Sequence, residues 1–313
     1  MKLSFQKWVK ITLVSIYLVI VAGGIVRMTD SGMGCPDWPK CFGMWVPPTS
    51  VDELPANYQE IYSHRGYADT TFNAAHTWTE YINRLVGALS GIIVFVMMLW
   101  SFRYWKTDRS KSGLSIVVYL LMVFQAWLGA TVVYSVLEPA KITIHMLAAL
   151  LIVSVMLLLL SRVRQADKIL VDSKLKKLML VGLGLIVIQV ILGTQVRQNI
   201  DDISNTFNQE QRELWIGNVD WKFYIHRSFS ILLGLVGATI AWKGRSIPKF
   251  KNYGFLILGL LLVEIFLGVL MNYFDFPKVS QPLHLVVACV LWGVLFYANL
   301  IVKKSGAIIS PTQ

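Results

Sequence analysis

Hydrophobic residues in this chain come in long runs, not at alternating or amphipathic spacing. Eight runs recur, at roughly 8–27, 80–101, 114–135, 142–161, 178–197, 222–242, 254–273 and 282–302. Each is about 20 residues long, enough for an α-helix to cross a bilayer core of ~30 Å. The pattern predicts an all-α integral membrane protein with eight transmembrane helices. The first run ends in Arg27 and lacks a small-residue cleavage site, so it reads as a retained helix and not a signal peptide. Two connections are long, 28–79 and 198–221.

Composition agrees with the pattern and narrows the classes. Of 313 residues, 55% are hydrophobic and 15% charged, against about 25% charged in a soluble domain. A soluble enzyme, a disordered chain and a nucleic-acid-binding domain are all excluded. The net charge of +11 is unevenly spread. The termini and alternate connections, starting with Lys2, Lys7 and Lys10, hold 19 Lys and Arg against three acids, Asp108, Asp167 and Asp172. The opposite side, helix ends included, holds 10 basic and 14 acidic residues. Lys and Arg are retained in the cytoplasm, so both termini are expected there and both long loops outside. The basic stretches beside the helices can also touch anionic lipid.

The chain carries an internal repeat. Tyr81-Ile82-Asn83-Arg84 opens the second span and Tyr224-Ile225-His226-Arg227 the sixth. His145 and His284 are 139 residues apart, as are Leu128-Gly129 and Leu267-Gly268. The third, fifth and seventh spans place Gln125, Gln189 and Glu264 three residues before a Leu-Gly pair. Gly24-Ile-Val-Arg27 answers Thr194-Gln-Val-Arg197. The expected architecture is two tandem, pseudo-symmetric four-helix bundles, an N-terminal half over 1–165 and a C-terminal half over 166–313. Transporters also use parallel repeats.

Ionisable groups inside a bilayer are costly and mark function. His145, His226 and His284 sit just inside outward span ends. His226 and His284 form a complete pair in the second half, and facing helices of a bundle commonly build cofactor sites this way. Two imidazoles suit haem iron, whereas zinc asks for at least three protein ligands. Arg227 and Arg197 are placed to pair haem propionates, since guanidinium groups bind carboxylates bidentately. The first half keeps His145 but has Asn83 where the repeat has His226. Glu80 lies on the face of Asn83, and His76 reaches that face if the helix begins early. One half thus looks built to hold a cofactor, the other to bind something and act on it. His64 reads as loop surface and Cys289 as a small buried apolar residue. Glu264 reads as a helix–helix polar contact or a proton relay. Cys35 and Cys41, in the oxidising outer loop, form a disulfide or a redox-active pair.

Gly23-Gly-Ile-Val-Arg-Met-Thr-Asp-Ser-Gly-Met-Gly-Cys-Pro-Asp-Trp-Pro-Lys-Cys41 resembles the first helix and loop of haem A synthases. Leu192-Gly-Thr-Gln-Val-Arg197 and Glu80-Tyr-Ile-Asn-Arg84 resemble that family too, and the likeness runs from about residue 15 to 300. The resemblance implies an oxidoreductase that turns a methyl group of haem O into a formyl group, giving haem A for cytochrome c oxidase. It implies haem b as cofactor on His226 and His284, with Arg227 and Arg197 beside it. It implies haem O as substrate in the first half, with His145 as iron ligand, Glu80 near the reacting methyl, and Asn83, His76, Arg84 and Arg27 around it. Many members have His at position 83, and some carry a second cysteine pair in the loop corresponding to 198–221; this chain has neither. The cysteine pair Cys35 and Cys41 is associated with turnover in the family. A bacterial inner-membrane location with outward-facing sites follows, as do haem O synthase as a partner, an electron acceptor of unknown identity and a homo-oligomer. The competing classes are a b-type cytochrome electron carrier and a small-molecule transporter.

Overall fold

The computed structural model describes residues 4–68, 70–165, 167–208 and 210–304; Lys2 lies outside them. Eight long helices carry the chain: α1 Phe5–Met28, α2 Ala74–Ser101, α3 Arg109–Tyr134, α4 Pro139–Arg164, α5 Ser173–Thr206, α6 Trp221–Gly244, α7 Pro248–Tyr273 and α8 Ser280–Ile301. All eight are long and apolar enough to cross a membrane, so the chain is a multi-pass, all-α membrane protein. Their starts are written locally. Ser4, Asn73, Asp108, Asp172 and Asp220 each cap a helix by accepting a backbone N–H, and Pro139 and Pro248 open α4 and α7 in the first helical turn.

Two helices run well past their apolar spans at the end of the bundle that carries the long connections. Helix α2 begins at Ala74 because Asn73 Oδ1 accepts the His76 N–H at 3.2 Å, so residues 74–79 are helix and not loop. Helix α5 continues to Thr206, through residues 198–206 of a segment expected as loop. There Arg197 pairs with Asp201 and Gln198 bonds Asp202, both at i,i+4 spacing. Ile200 and Ile203 bury against Trp215 and Phe276.

Within the first half, α1 packs on α2, α2 on α3, α3 on α4 and α4 back on α1. The second half repeats the circuit with α5, α6, α7 and α8. The halves meet where α8 lies against α1 and α4, and α4 against α5. The buried core is continuous through both halves and includes Val9, Ile16, Met156, Met179, Ile240 and Leu295. Leu18, Leu89, Leu120, Leu235 and Leu262 point outward and are more than half exposed, as side chains facing lipid are. At the basic end, the short parallel strands β1 Ile169–Val171 and β2 Val302–Lys304 pair in register Ile169 to Val302. At the other end, the connection after α1 folds around Phe42, whose ring meets Tyr58, Tyr62, Tyr67 and Phe72 edge-on at 5.6–6.2 Å.

Candidate functional site

The functional side chains gather at the end of the bundle where α1, α3, α5 and α7 finish and α2, α4, α6 and α8 begin. A repeated contact builds this end. Gln125 of α3 donates its side-chain N–H to the His145 carbonyl at 2.9 Å, and Gln189 of α5 does the same to His226 at 3.0 Å. In α3 and α5 the glycine of the Leu-Gly pair lies against the ring. A Cβ on Gly129 would lie 3.5 Å from His145 Cε1, and one on Gly193 would lie 3.2 Å from His226 Cε1. On α7, Glu264 stands in the same slot, with Oε2 2.8 Å from His284 Nδ1, a close contact outside hydrogen-bond alignment. The polar contact expected of Glu264 is therefore made to a histidine ring. In the first helix pair both partners have changed: Val19 occupies the slot of Gln189, and Asn83 that of His226.

The His226 and His284 rings lie 6.4 Å apart between centroids, at 74° to each other. They do not touch. The gap suits two metal–imidazole bonds of ~2 Å each plus the half-widths of the rings. His226 Nδ1, His145 Nδ1 and Asn83 Oδ1 are buried without hydrogen-bond partners, and buried polar atoms are normally satisfied. Among the described residues no three His, Cys, Asp or Glu side chains converge on a metal position. A bare ion would lack ligands there, whereas an iron already held by a macrocycle needs only its axial pair. The residues thus fit a haem in the second half. In the first half the repeat-equivalent positions hold His145 and Asn83.

Beside this pair lies a charged cluster. Asp201 of α5 accepts from Arg27 of α1 and, at 2.7 Å, from Arg197 of its own helix. Arg197 also reaches Gln281 on α8. Asp30, Arg212 and Lys278 line the same cleft, leaving four cations against two carboxylates. Arg27 Nε and Arg197 Nε are buried without partners. Arg27 and Arg197, expected on separate halves, are brought together on Asp201. Nothing in the periodicity of the chain singled out Asp201 or Gln281. Arg227 is exposed, its guanidinium 5.3 Å from the Tyr224 ring.

Glu80 and Arg84 face the connection after α1. Glu80 is buried. Its Oε2 accepts the Cys35 N–H at 2.8 Å and its Oε1 pairs with Arg84. Arg84 gives its remaining donors to the carbonyls of Asp37, Lys40 and Cys35 at 2.6, 2.9 and 3.3 Å. Thr77 donates to the Gly34 carbonyl at 2.8 Å. A Cβ on Gly34 would come within 2.4 Å of the His76 carbonyl oxygen, so this approach requires glycine. Cys35 and Cys41 are joined by a disulfide, and both are fully buried. The pair thus fastens the disulfide loop onto the start of α2. His76 lies half-buried in the first turn of that helix, one turn from Glu80. His64 is on the loop surface and Cys289 is a buried free thiol, both as expected.

The chain is similar in sequence to known proteins. A heme A synthase of Shewanella oneidensis is 27% identical over 289 residues, covering 83% of this chain and 85% of its own length. One of Rickettsia bellii is 24% identical over 340 aligned positions, covering 97% of this chain and all of the relative. One of Ehrlichia canis is 27% identical over 326, covering 94% and 92%. The model of the COX15-CtaA family, cytochrome oxidase assembly protein, matches residues 6–296. That match spans all eight helices, nearly to the end of α8, and the chain belongs to this family, that of the haem A synthases.

Proposed function

We propose that this protein makes haem A by oxidising a methyl substituent of haem O to a formyl group. The observation that carries the reading is the unequal provision of the two halves. One half has the facing imidazoles of His226 and His284, and the other has His145 alone with Asn83 in the partner's slot. Two axial imidazoles suit a resident haem b. A single one leaves the substrate's iron an open side. Haem b supplies one-electron redox chemistry when bound.

The protein's own residues do the rest. Gln189 and Gly193 set the α6 ligand against α5. Arg27 and Arg197 offer their unpartnered Nε atoms to propionate carboxylates at the junction of the halves, and Arg227 is free to reach the same groups. Glu80, held by Arg84 and the Cys35 N–H, stands at the roof of the first half, where it can accept or return a proton. The apolar outer faces let a hydrophobic substrate enter from the bilayer. We further infer that both termini are cytoplasmic, that the site faces outward from a bacterial inner membrane, that haem O synthase supplies the substrate, and that an acceptor takes the electrons.

The test is expression in a host that makes haem O but no haem A, followed by haem extraction and chromatography. Haem A that depends on this protein, with haem b retained, supports the reading. Haem b alone, with haem O unchanged, overturns it and leaves an electron carrier.

A further inference from the structure

The three slots that precede a Leu-Gly pair are not equivalent. Gln125 and Glu264 are 139 residues apart, and so are His145 and His284, so each pair occupies the same register in its half. In the first half the side chain is an amide that grips the histidine backbone at 2.9 Å, and the Nδ1 atoms of His145, His226 and His284 are alike in having no aligned hydrogen bond. Gln189 treats His226 in the same way at 3.0 Å. Only Glu264 puts its side chain on an imidazole, at 2.8 Å. It does so in the interior of a membrane-crossing helix with 12% of its side chain exposed, where an acid is expensive to keep. A glutamine there would serve helix packing as well, as the other two slots demonstrate.

The chemistry of a carboxylate behind a ligating imidazole is specific. It accepts from Nδ1–H, fixes the tautomer so that Nε2 carries the lone pair, and makes that nitrogen a stronger donor. A stronger axial donor favours ferric over ferrous iron, and axial ligation is a main determinant of haem potential.

We propose that Glu264 is a positioning residue that holds His284 in its ligating tautomer and lowers the reduction potential of the iron it ligates. This rests on the reading that His226 and His284 hold haem b. The exchange of Gln125 for Glu264 between the repeats then adds to the ligand difference in giving the two halves different affinities for an electron.

The experiment is an equilibrium redox titration of the purified full-length protein carrying its haem b, followed in the visible spectrum. Glu264→Gln keeps a low-spin bis-imidazole spectrum. Its ferrous-to-ferric ratio at fixed potential rises about tenfold, a shift of ~59 mV for one electron. Glu264→Asp, with a shorter reach, shifts the midpoint in the same direction by less. Gln125→Glu leaves the haem b midpoint where it was. An unshifted midpoint in Glu264→Gln overturns the proposal, as does an equal shift in Gln125→Glu. If Glu264→Gln does not accumulate, Glu264→Asp decides: a positive displacement supports the proposal and the wild-type value overturns it. His284→Ala separates the two layers. A bis-imidazole spectrum that survives it removes the ligand assignment itself, whereas loss of that spectrum with an unshifted Glu264→Gln removes only the coupling.

Discussion

Gly193→Ala puts the packing of the haem b ligand to the test. The added methyl would sit 3.2 Å from His226 Cε1, with Nδ1 and Nε2 at 3.8 and 3.9 Å. Carbon pairs settle at about 3.5–4.0 Å, so the ring must retreat by a few tenths of an ångström. It cannot do so freely, because Gln189 holds the His226 backbone. Overpacking of this kind costs about 1–3 kcal/mol; the small overlap argues for the lower end, about fivefold in haem affinity at ~1.4 kcal/mol per factor of ten. The helix itself gains, since Ala is better than Gly in a helix interior by about 1 kcal/mol. The two effects therefore separate: thermal unfolding followed by circular dichroism stays level or rises, while haem b per protein, measured as the pyridine haemochrome, falls. The repeat supplies the controls. A Cβ on Gly129 meets His145 at an ordinary 3.5 Å, and one on Gly268 meets nothing within 4 Å. Gly268→Ala should keep full haem b content. If Gly193→Ala binds haem b as wild type does, or Gly268→Ala loses as much, the glycine does not set the ring position.

Arg84→Gln should release the outer loop. It strands a buried carboxylate, a change that costs about 3–5 kcal/mol when one partner of a buried pair is lost, and it removes three loop-carbonyl bonds. Trypsin should then cut at Lys40 in the folded variant much faster than in the wild type; equal cleavage rates would refute the clamp. The loop should also have a pH limit. Burial, with the Glu80 charge adding to it, raises the Tyr67 phenol above its ordinary value. The folded loop keeps that proton while the opened loop releases it above about pH 10, so loop stability is full below that pH and falls as pH rises through it. Limited proteolysis across this range should show the loss, and Tyr67→Phe should weaken the pH dependence, leaving the smaller part that burial of Tyr62 contributes; a profile unchanged in Tyr67→Phe would show that another group controls it.

The eight spans were legible because lipid imposes a length and an apolar composition on each helix. The repeat was legible because duplicated positions keep their spacing. His145, His226 and His284 stood out as ionisable groups in apolar context, and Asn83 as the break in symmetry. The polar cap of the bundle was not legible in the same way. Residues 198–206 read as loop because they are polar, yet side-chain pairs four apart and the burial of Ile200 and Ile203 extend α5 through them. Asp201 carried no signal of its own in the sequence, although it pairs with Arg197 on its own helix and with Arg27, 174 residues away.

By itself, then, the sequence determined the helices, their alternating direction, the duplication and the histidines, because each follows from local composition and fixed spacing. Only the tertiary structure decided the partners. Glu80 and Arg84 lie four residues apart on one helix, but their remaining bonds go to a loop more than 40 residues away. Glu264 meets an imidazole where Gln125 and Gln189 meet backbone. Side-chain pairing in a membrane bundle depends on how neighbouring helices are rotated and set in depth, and those are fixed by packing across the whole assembly.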